Sequence, residues 1–581
     1  MNILDKIKLT IDGKEVEVSK DKTVLQACKE INIYIPSLCY LKDVNCSSAC
    51  RVCLVEANGR LLPSCSLEVE SGMNIVTNSK KAKEARRTAL KLLLSDHNRD
   101  CTTCIRNENC ELQNLASKLN INKIEFEGET IDYELDISSD SIVRDPSKCI
   151  KCGRCVQTCN EIQSVGAIDF SNRGFYTKIS PSYDVNIGNS VCINCGQCIT
   201  NCPVGALYEK DSIEIVKECL YDENKYVVVQ TAPAVRAGLG EEFGMDPSIS
   251  VTYKMASALK KLNFDKVFDT NFAADLTIIE EGTELLNRLE NNKNLPLMTS
   301  CCPGWVKFVE HNFPEMLDNL STCKSPHEME GALIKSYFAK KLDVDPNKIV
   351  VVSIMPCTAK KFEANRNELS CDELKDVDYV LTTRELAKLI KEEGIDFKNL
   401  EDSEFDNPFG ESTGASVIFG VTGGVAEAAL RTIFELTSDK PLEDMNFTPV
   451  RGDKGIKEAN ITLPNGLVVQ TAVISGLANA RKVMNDIISG KKNYQFIEVM
   501  ACPGGCINGG GQPIVDAQTL EDTDVRKLRT NAIYNEDEGY EIRQSHKNPQ
   551  IKRIYDEFLK EANGHIAHKY LHTHYKERSK I

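Results

Sequence analysis

Three cysteine motifs, far apart in the chain, each follow an apolar run of strand length. They are LPLMTSCCPGW (Leu295 to Trp305), VVVSIMPCTAKK (Val350 to Lys361) and FIEVMACPGGCINGGGQP (Phe496 to Pro513). Continuous apolar strands belong to sheets covered on both faces, and ligands of such sheets sit beyond the carboxyl ends of the strands. Three strands ending in one crevice would bring Cys302, Cys357, Cys502 and Cys506 together, enough thiolates for one metal centre. Gly504-Gly505 and Gly509-Gly510-Gly511 would let the backbone approach a bulky group. A phosphate cradle is the alternative for such a loop, but no Lys-Ser or Lys-Thr pair follows it.

The chain has 581 residues and 25 cysteines. That length predicts several domains, and the cysteine content falls below the roughly 8–10 % of a small disulfide scaffold. The cysteines also cluster at ligand spacings, as in thiolate–metal proteins of a reducing compartment. A net charge of −15 without a basic tract disfavours nucleic acid as a partner. The start carries no secretory signal and no run reaches the roughly 18 apolar residues of a membrane span. The expectation is a cytoplasmic protein without direct membrane insertion.

The first 202 residues hold most of the remaining cysteines. Lys6 to Val18 alternates like a hairpin with Asp12-Gly13 as its turn. Cys39, Cys50, Cys53 and Cys65 follow at C-x10-C-x2-C-x11-C, close to the plant-type ferredoxin pattern around a [2Fe–2S] cluster; structural zinc is the alternative, and Cys46 reads as a spare. After a helix rich in Lys, Arg and Leu come His97, Cys101, Cys104 and Cys110. A lone histidine is usually an ordinary residue. Four positions before a C-x2-C-x5-C run, it reads as the fourth ligand of a [4Fe–4S] cluster, its neutral ring tuning the potential.

Two C-x2-C-x2-C-x3-C runs complete the series: Cys149, Cys152, Cys155, Cys159 and Cys192, Cys195, Cys198, Cys202. In two-cluster ferredoxins the fourth cysteine of each run serves the other cluster. One cluster should therefore take Cys149, Cys152, Cys155 and Cys202, the other Cys192, Cys195, Cys198 and Cys159. Asn160 departs from the proline that often follows the fourth cysteine; Pro203 keeps it.

From about Lys210 the pattern turns to α/β. Strands are predicted at Tyr226–Gln230, Lys266–Phe272, Leu295–Thr299, Ile349–Met355, Val377–Leu381, Leu467–Ile474 and Phe496–Met500, with a helix from Leu276 to Leu289.

TSCCPGW, MPCTAKK and MACPGGCINGGGQP, with the ferredoxin-like modules and the tail HKYLHTHY (His568 to Tyr575), resemble the catalytic subunit of an [FeFe]-hydrogenase over nearly the whole chain. The resemblance implies an α+β multidomain protein. Its parts are a β-grasp [2Fe–2S] ferredoxin-like domain (1–77), a small helical [4Fe–4S] domain with one histidine and three cysteine ligands (78–137), a two-[4Fe–4S] ferredoxin-like domain (138–209) and an α/β iron-hydrogenase domain with sheets flanked by helices (210–581). It further implies that Cys302, Cys357, Cys502 and Cys506 hold the cubane of an H-cluster. Cys506 would bridge to a diiron unit carrying CO, cyanide and an azadithiolate. The cofactors are then one [2Fe–2S] cluster, three accessory [4Fe–4S] clusters and the H-cluster. Nineteen cysteines and His97 supply ligands for five protein-bound clusters. Cys28, Cys46, Cys219, Cys323 and Cys371 read as ordinary small residues, and Cys301 as a free thiol beside a ligand.

By the same resemblance, dihydrogen is interconverted with protons and electrons. Protons pass through Cys301, Glu281, Ser321, Glu284 and Arg288; for Cys301 an inert buried thiol, and for the Glu pair a solvated helix face, are the alternatives. Lys360 would hold a cyanide ligand by a charged hydrogen bond, with Lys361 facing solvent. Ala232, Pro233, Met355, Phe419 and Met500 would wall the diiron unit, though ordinary core packing would explain each singly. Ala234, His327 and Pro503 stand where relatives commonly have serine, glutamine and, in some, histidine. Implied partners are ferredoxin or flavoprotein NAD(P)H-oxidising subunits, and hydrogenase maturation proteins. An iron–sulfur assembly protein of the same fold and a hydrogen sensor are the competing classes.

Overall fold

The amino-terminal hairpin forms from Lys6–Ile11 and Lys14–Ser19. Asp12 and Gly13 between them both have positive φ, 47° and 81°, as a two-residue hairpin turn requires. The structure is a computed structural model and describes residues 6–126, 130–437, 445–452, 454–464 and 466–579. The hairpin is one side of a five-stranded sheet completed by Asn74–Val76, Leu54–Ala57 and Arg60–Pro63. The helix Val24–Glu30 buries Val24, Leu25, Ala27 and Cys28 in the core shared with this sheet. Its start is fixed by a capping box between Thr23 and Gln26.

The helix Lys80–Ser95 follows. Arg86 pins it to the sheet by donating to the carbonyls of Leu54 (2.6 Å) and Thr77 (2.8 Å). Beyond the helix Glu111–Lys118 the chain runs mostly as loops held by two short ladders, Ile142–Arg144 with Leu207–Glu209 and Asp169–Ser171 with Lys178–Ser180.

Two four-stranded sheets organise the remainder. The first orders Lys266–Asp269, Tyr226–Thr231, Ile349–Met355 and Tyr379–Thr382, all parallel. The second orders Leu297–Met298, Phe496–Met500, Val468–Ser475 and Ile456–Thr462, the last antiparallel. Ile349–Met355 and Phe496–Met500 are buried at every residue, which accounts for their unbroken apolar character.

Several strand expectations change. The strand expected over Lys266–Phe272 stops at Asp269. There the Asp269 carboxylate accepts from Asn271 N at 3.1 Å and Arg236 Nη2 at 2.7 Å, and a helix runs from Asn271 to Asn291. That helix is longer than the Leu276–Leu289 segment predicted. Leu295–Thr299 contracts to Leu297–Met298, and Val377–Leu381 shifts to Tyr379–Thr382. Ile456–Thr462 was not foreseen, because a half-exposed edge strand lacks the continuous apolar signal. Among the described residues no helix is long and apolar enough to cross a membrane.

Candidate active site

The carboxyl ends of both sheets open on one largely apolar cavity of about 80 Å³. Tyr226–Thr231 and Ile349–Met355 deliver Ala232, Pro233 and Cys357; Leu297–Met298 and Phe496–Met500 lead into Cys301, Cys302 and Cys502. Cys506 closes the ring. Lys360, Met355, Phe419 and Met500 also line the cavity, so the whole expected wall is brought together. Thr270, Pro326 and His327 line it as well.

The four cysteines feel one another. Burial first, then Cys302, pushes the Cys357 thiol up to about 12. Burial, Cys302 and Cys357 raise Cys506, and burial followed by Cys357 and Cys195 lifts Cys502 far above its ordinary value. Four thiolates crowded in an apolar pocket are costly alone, and a cationic iron–sulfur core reverses that sign. The donor set and the apolar lining of the cavity therefore fit an iron–sulfur centre. Gly509 permits the crowding, since a Cβ there would lie 2.1 Å from the Pro356 carbonyl oxygen.

Lys360 Nζ points into this region with two anchors, the Cys301 carbonyl at 3.2 Å and Glu363 Oε2 at 2.6 Å. His327 Nε2 shares the same Glu363 oxygen at 2.7 Å, contacts Glu328 Oε1 at 3.1 Å, and holds Ser353 through Nδ1. Lys360 and the imidazole thus offset two buried carboxylates. Sequence reasoning missed Glu363, although its place three residues after Lys360 puts both on one helical face. Lys361 corrects an expectation: it is buried and not solvent-facing, donating to Ser212 Oγ, the Val380 carbonyl and Glu385 Oε1. The Glu385 carboxylate in the adjacent helix compensates its charge.

Behind Cys301 runs a line of polar side chains in the apolar interior. Burial and then Glu281 raise the Cys301 thiol far above its usual value. Glu281 is itself pushed up to about 8, by burial and then by Glu284. Glu284 accepts from Ser321 Oγ at 2.9 Å and from Arg288 Nη2 at 2.6 Å. Arg288 is the partly exposed end of this line. Glu281 and Glu284 are buried, so the solvated-face alternative is excluded.

The other cysteine groups assemble in the first 202 residues. Cys39, Cys50, Cys53 and Cys65 interact side chain to side chain, while Cys46 is exposed. Cys202 lies with Cys149, Cys152 and Cys155; Cys159 lies with Cys192, Cys195 and Cys198. The fourth cysteines are thus exchanged between the runs. His97 is lowered to about 4 by burial and then by Lys148, and its buried Nδ1 has no hydrogen-bond partner among the described residues. A neutral, unsatisfied ring nitrogen suits a metal ligand.

These groups form a fork. Asn45 Nδ2 bridges the Cys39 and Cys152 carbonyls, at 2.7 and 3.1 Å, joining the first cysteine loop to the Cys149 group. Glu111 N donates to the Pro203 carbonyl at 3.1 Å, bringing the Cys110 loop to the same group through Cys202-Pro203. The Cys192 group instead faces the cavity. Thr358 Oγ1 donates to the Asn194 carbonyl at 2.7 Å, and a Cβ on Gly510 would lie 2.3 Å from the Cys195 carbonyl oxygen.

Comparison with known proteins agrees with this architecture. Residues 225–510 match the iron only hydrogenase large subunit, C-terminal domain, and residues 523–578 the iron hydrogenase small subunit. Residues 5–80 match a 2Fe-2S iron-sulfur cluster binding domain, 86–125 the NADH-ubiquinone oxidoreductase-G iron-sulfur binding region, and 148–206 a 4Fe-4S dicluster domain. The NADP-reducing hydrogenase subunit HndD of Solidesulfovibrio fructosivorans is 49 % identical, with 99 % of this chain and 100 % of that protein aligned. Iron hydrogenase 1 of Clostridium pasteurianum is 43 % identical, over 98 % and 100 %. The solved structure of an apo [FeFe]-hydrogenase variant from Chlamydomonas reinhardtii matches with TM-score 0.56 at 42 % identity, covering 63 % of this chain and 99 % of that one. The chain belongs to the iron-only, or [FeFe]-, hydrogenase family and is an enzyme of that family, with iron–sulfur domains ahead of its catalytic domain.

Proposed function

We propose that this enzyme reversibly interconverts dihydrogen with two protons and two electrons, using an H-cluster held by Cys302, Cys357, Cys502 and Cys506. The observation that carries this is the convergence of four remote cysteines on one cavity that also presents Cys301 and Lys360. The diiron unit, when bound, supplies the metal and the base for splitting dihydrogen. This chain's residues position it, exclude water and move protons. Lys360, braced by Glu363, presents a charged donor to an anionic ligand. Met355, Met500, Phe419, Ala232 and Pro233 make the wall largely apolar.

The Cys301 thiol exchanges a proton at the cavity face and passes it to Glu281. Ser321, Glu284 and Arg288 carry it outward. A glutamate poised at about 8 takes and releases a proton near neutral pH at little cost.

Electrons travel through one [2Fe–2S] and three [4Fe–4S] clusters, in domains 1–77, 78–137 and 138–209, to the catalytic domain 210–581. The two arms of the fork offer separate entries to the Cys149 group. An NAD(P)H-linked partner complex with flavoprotein subunits is favoured by the match of residues 86–125 to the NADH-ubiquinone oxidoreductase-G region and by the NADP-reducing relative. Exchange with ferredoxin alone is the second reading.

Infrared spectroscopy after incubation with maturation proteins tests the site, because CO and cyanide absorb where polypeptide does not. Cys506→Ser should abolish those bands; their persistence would remove Cys506 from the ligand set. Mixing the matured chain with reduced ferredoxin, and separately with NADH or NADPH, separates the partner readings. Hydrogen from ferredoxin alone rules out an obligate nucleotide-linked complex.

A further inference from the structure

The tail motif HKYLHTHY has no part in the scheme above, yet it packs directly on the proton line. Lys324 N donates to the Leu571 carbonyl at 2.8 Å, Thr573 N to the Thr322 carbonyl at 2.7 Å, and Cys323 pairs with His572 as in a short antiparallel ladder. This fixes His572 with Nδ1 2.8 Å from Thr322 Oγ1 and Nε2 3.2 Å from Glu280 Oε2. Glu280 is fully buried and lies one helical turn before Glu284. Cys323, fully buried too, aims its thiol at Glu284 Oε2 across 4.0 Å. After burial, the charges of Glu284, Glu281 and Glu280 raise that thiol. The ladder sets Cys323 opposite His572, whose ring contacts Glu280, and Glu280 also accepts from Tyr555 Oη and from Asn563 N at 2.7 Å. At the outer end the exposed His568 ring lies 4.2 Å from the His572 ring, centroid to centroid.

We propose that Cys323, Glu280 and His572 form a side branch of the proton path, leaving it at Glu284 and opening to solvent beside His568. The inference rests on the reading of Glu284 as a relay group. Only X–H bonds change. Cys323 gives its proton to the Glu280 carboxylate as it takes one from Glu284, Glu280 passes the proton to His572 Nε2, and the imidazolium gives up its Nδ1 proton to water beside His568. One proton moves outward and no electron moves; the ring, entered at Nε2 and left at Nδ1, regains its starting tautomer by exchange with water. The tail then acts as a second outlet, used when the Arg288 mouth is slow.

The experiment uses the full-length chain before maturation, in deuterated water. The infrared S–H band of Cys323, identified by its loss in Cys323→Ala, reports exchange of this buried thiol with solvent. His572→Gln should slow that exchange by at least about tenfold, in keeping with loss of a positioned proton-transfer group. Glu284→Gln should leave it open. In the matured Arg288→Ala enzyme, adding His568→Gln and His572→Gln should lower turnover further, and imidazole in the buffer should restore it.

Were His572→Gln to loosen the tail, seen as lost amide protection at 571–573, Glu280→Gln keeps the side-chain shape and decides the matter. Unchanged thiol exchange in both variants, with Glu284→Gln inactive, overturns the branch and leaves the main path standing. An active Glu284→Gln enzyme overturns the relay reading instead.

Discussion

Lys360 Nζ lies 2.6 Å from Glu363 Oε2, with at most a tenth of either side chain exposed. The lysine expected to hold an anionic ligand is therefore not a free charge waiting in the cavity. It is one half of a buried ion pair whose carboxylate also serves His327.

Removing the carboxylate should expose that dependence. Glu363→Gln leaves Lys360 buried without its counter-ion, and breaking such a pair costs about 3–5 kcal/mol. Thermal unfolding of the unloaded variant should fall accordingly, and after maturation the cyanide bands should shift or weaken. A variant as stable as the parent, with unshifted bands, argues against the pair as the brace of Lys360.

Cys301→Ala should keep the CO and cyanide bands, because Cys301 is no ligand in this scheme. Turnover should drop by about 10²–10⁴-fold, as when a positioned proton-transfer group is lost. Full activity in that variant defeats the role assigned to the thiol.

Glu281 sets the pH response. Its acid form is favoured up to about 8, against an ordinary value of 4.5. The unfolded chain gives up this proton earlier than the folded one, so between 4.5 and about 8 this group withdraws stability as pH rises. Below 4.5 it costs nothing, and above about 8 its full cost is present. Hydrogen evolution should decline as the pH passes about 8, where the carboxyl loses its proton. Glu281→Gln, which cannot ionise, should unfold with less loss of stability over that window and should turn over poorly at every pH. The check is denaturant unfolding and a rate profile across the same pH series.

Gly510 packs against the backbone of the Cys195 loop, where a Cβ would lie 2.3 Å from the Cys195 carbonyl oxygen. Gly510→Ala should push that loop away and destabilise the chain by about 1–3 kcal/mol, as overpacking does. Turnover driven by a protein electron partner should fall more than turnover driven by a small reductant that reaches the cavity. Equal losses with both donors would falsify a route through the Cys192 group.

Local order along the chain was enough to reveal the cysteine loops and the strands that feed the cavity. Cysteine spacing is a local property, because a cluster's dimensions fix how many residues can lie between neighbouring ligands. The strands Ile349–Met355 and Phe496–Met500 are buried along their whole length, and that leaves an unbroken apolar run for the eye to find. Packing between distant segments settled the remainder. Lys361 looks like a surface lysine until the helix carrying Glu385 packs over it. Glu363 becomes a brace, and His572 a neighbour of Glu280, only when remote parts of the chain meet. Asn45, which joins two cluster loops, carries no pattern in the chain. A charge in the interior is stable only beside its partner, and partners brought together by packing leave no mark on the spacing of residues along the sequence.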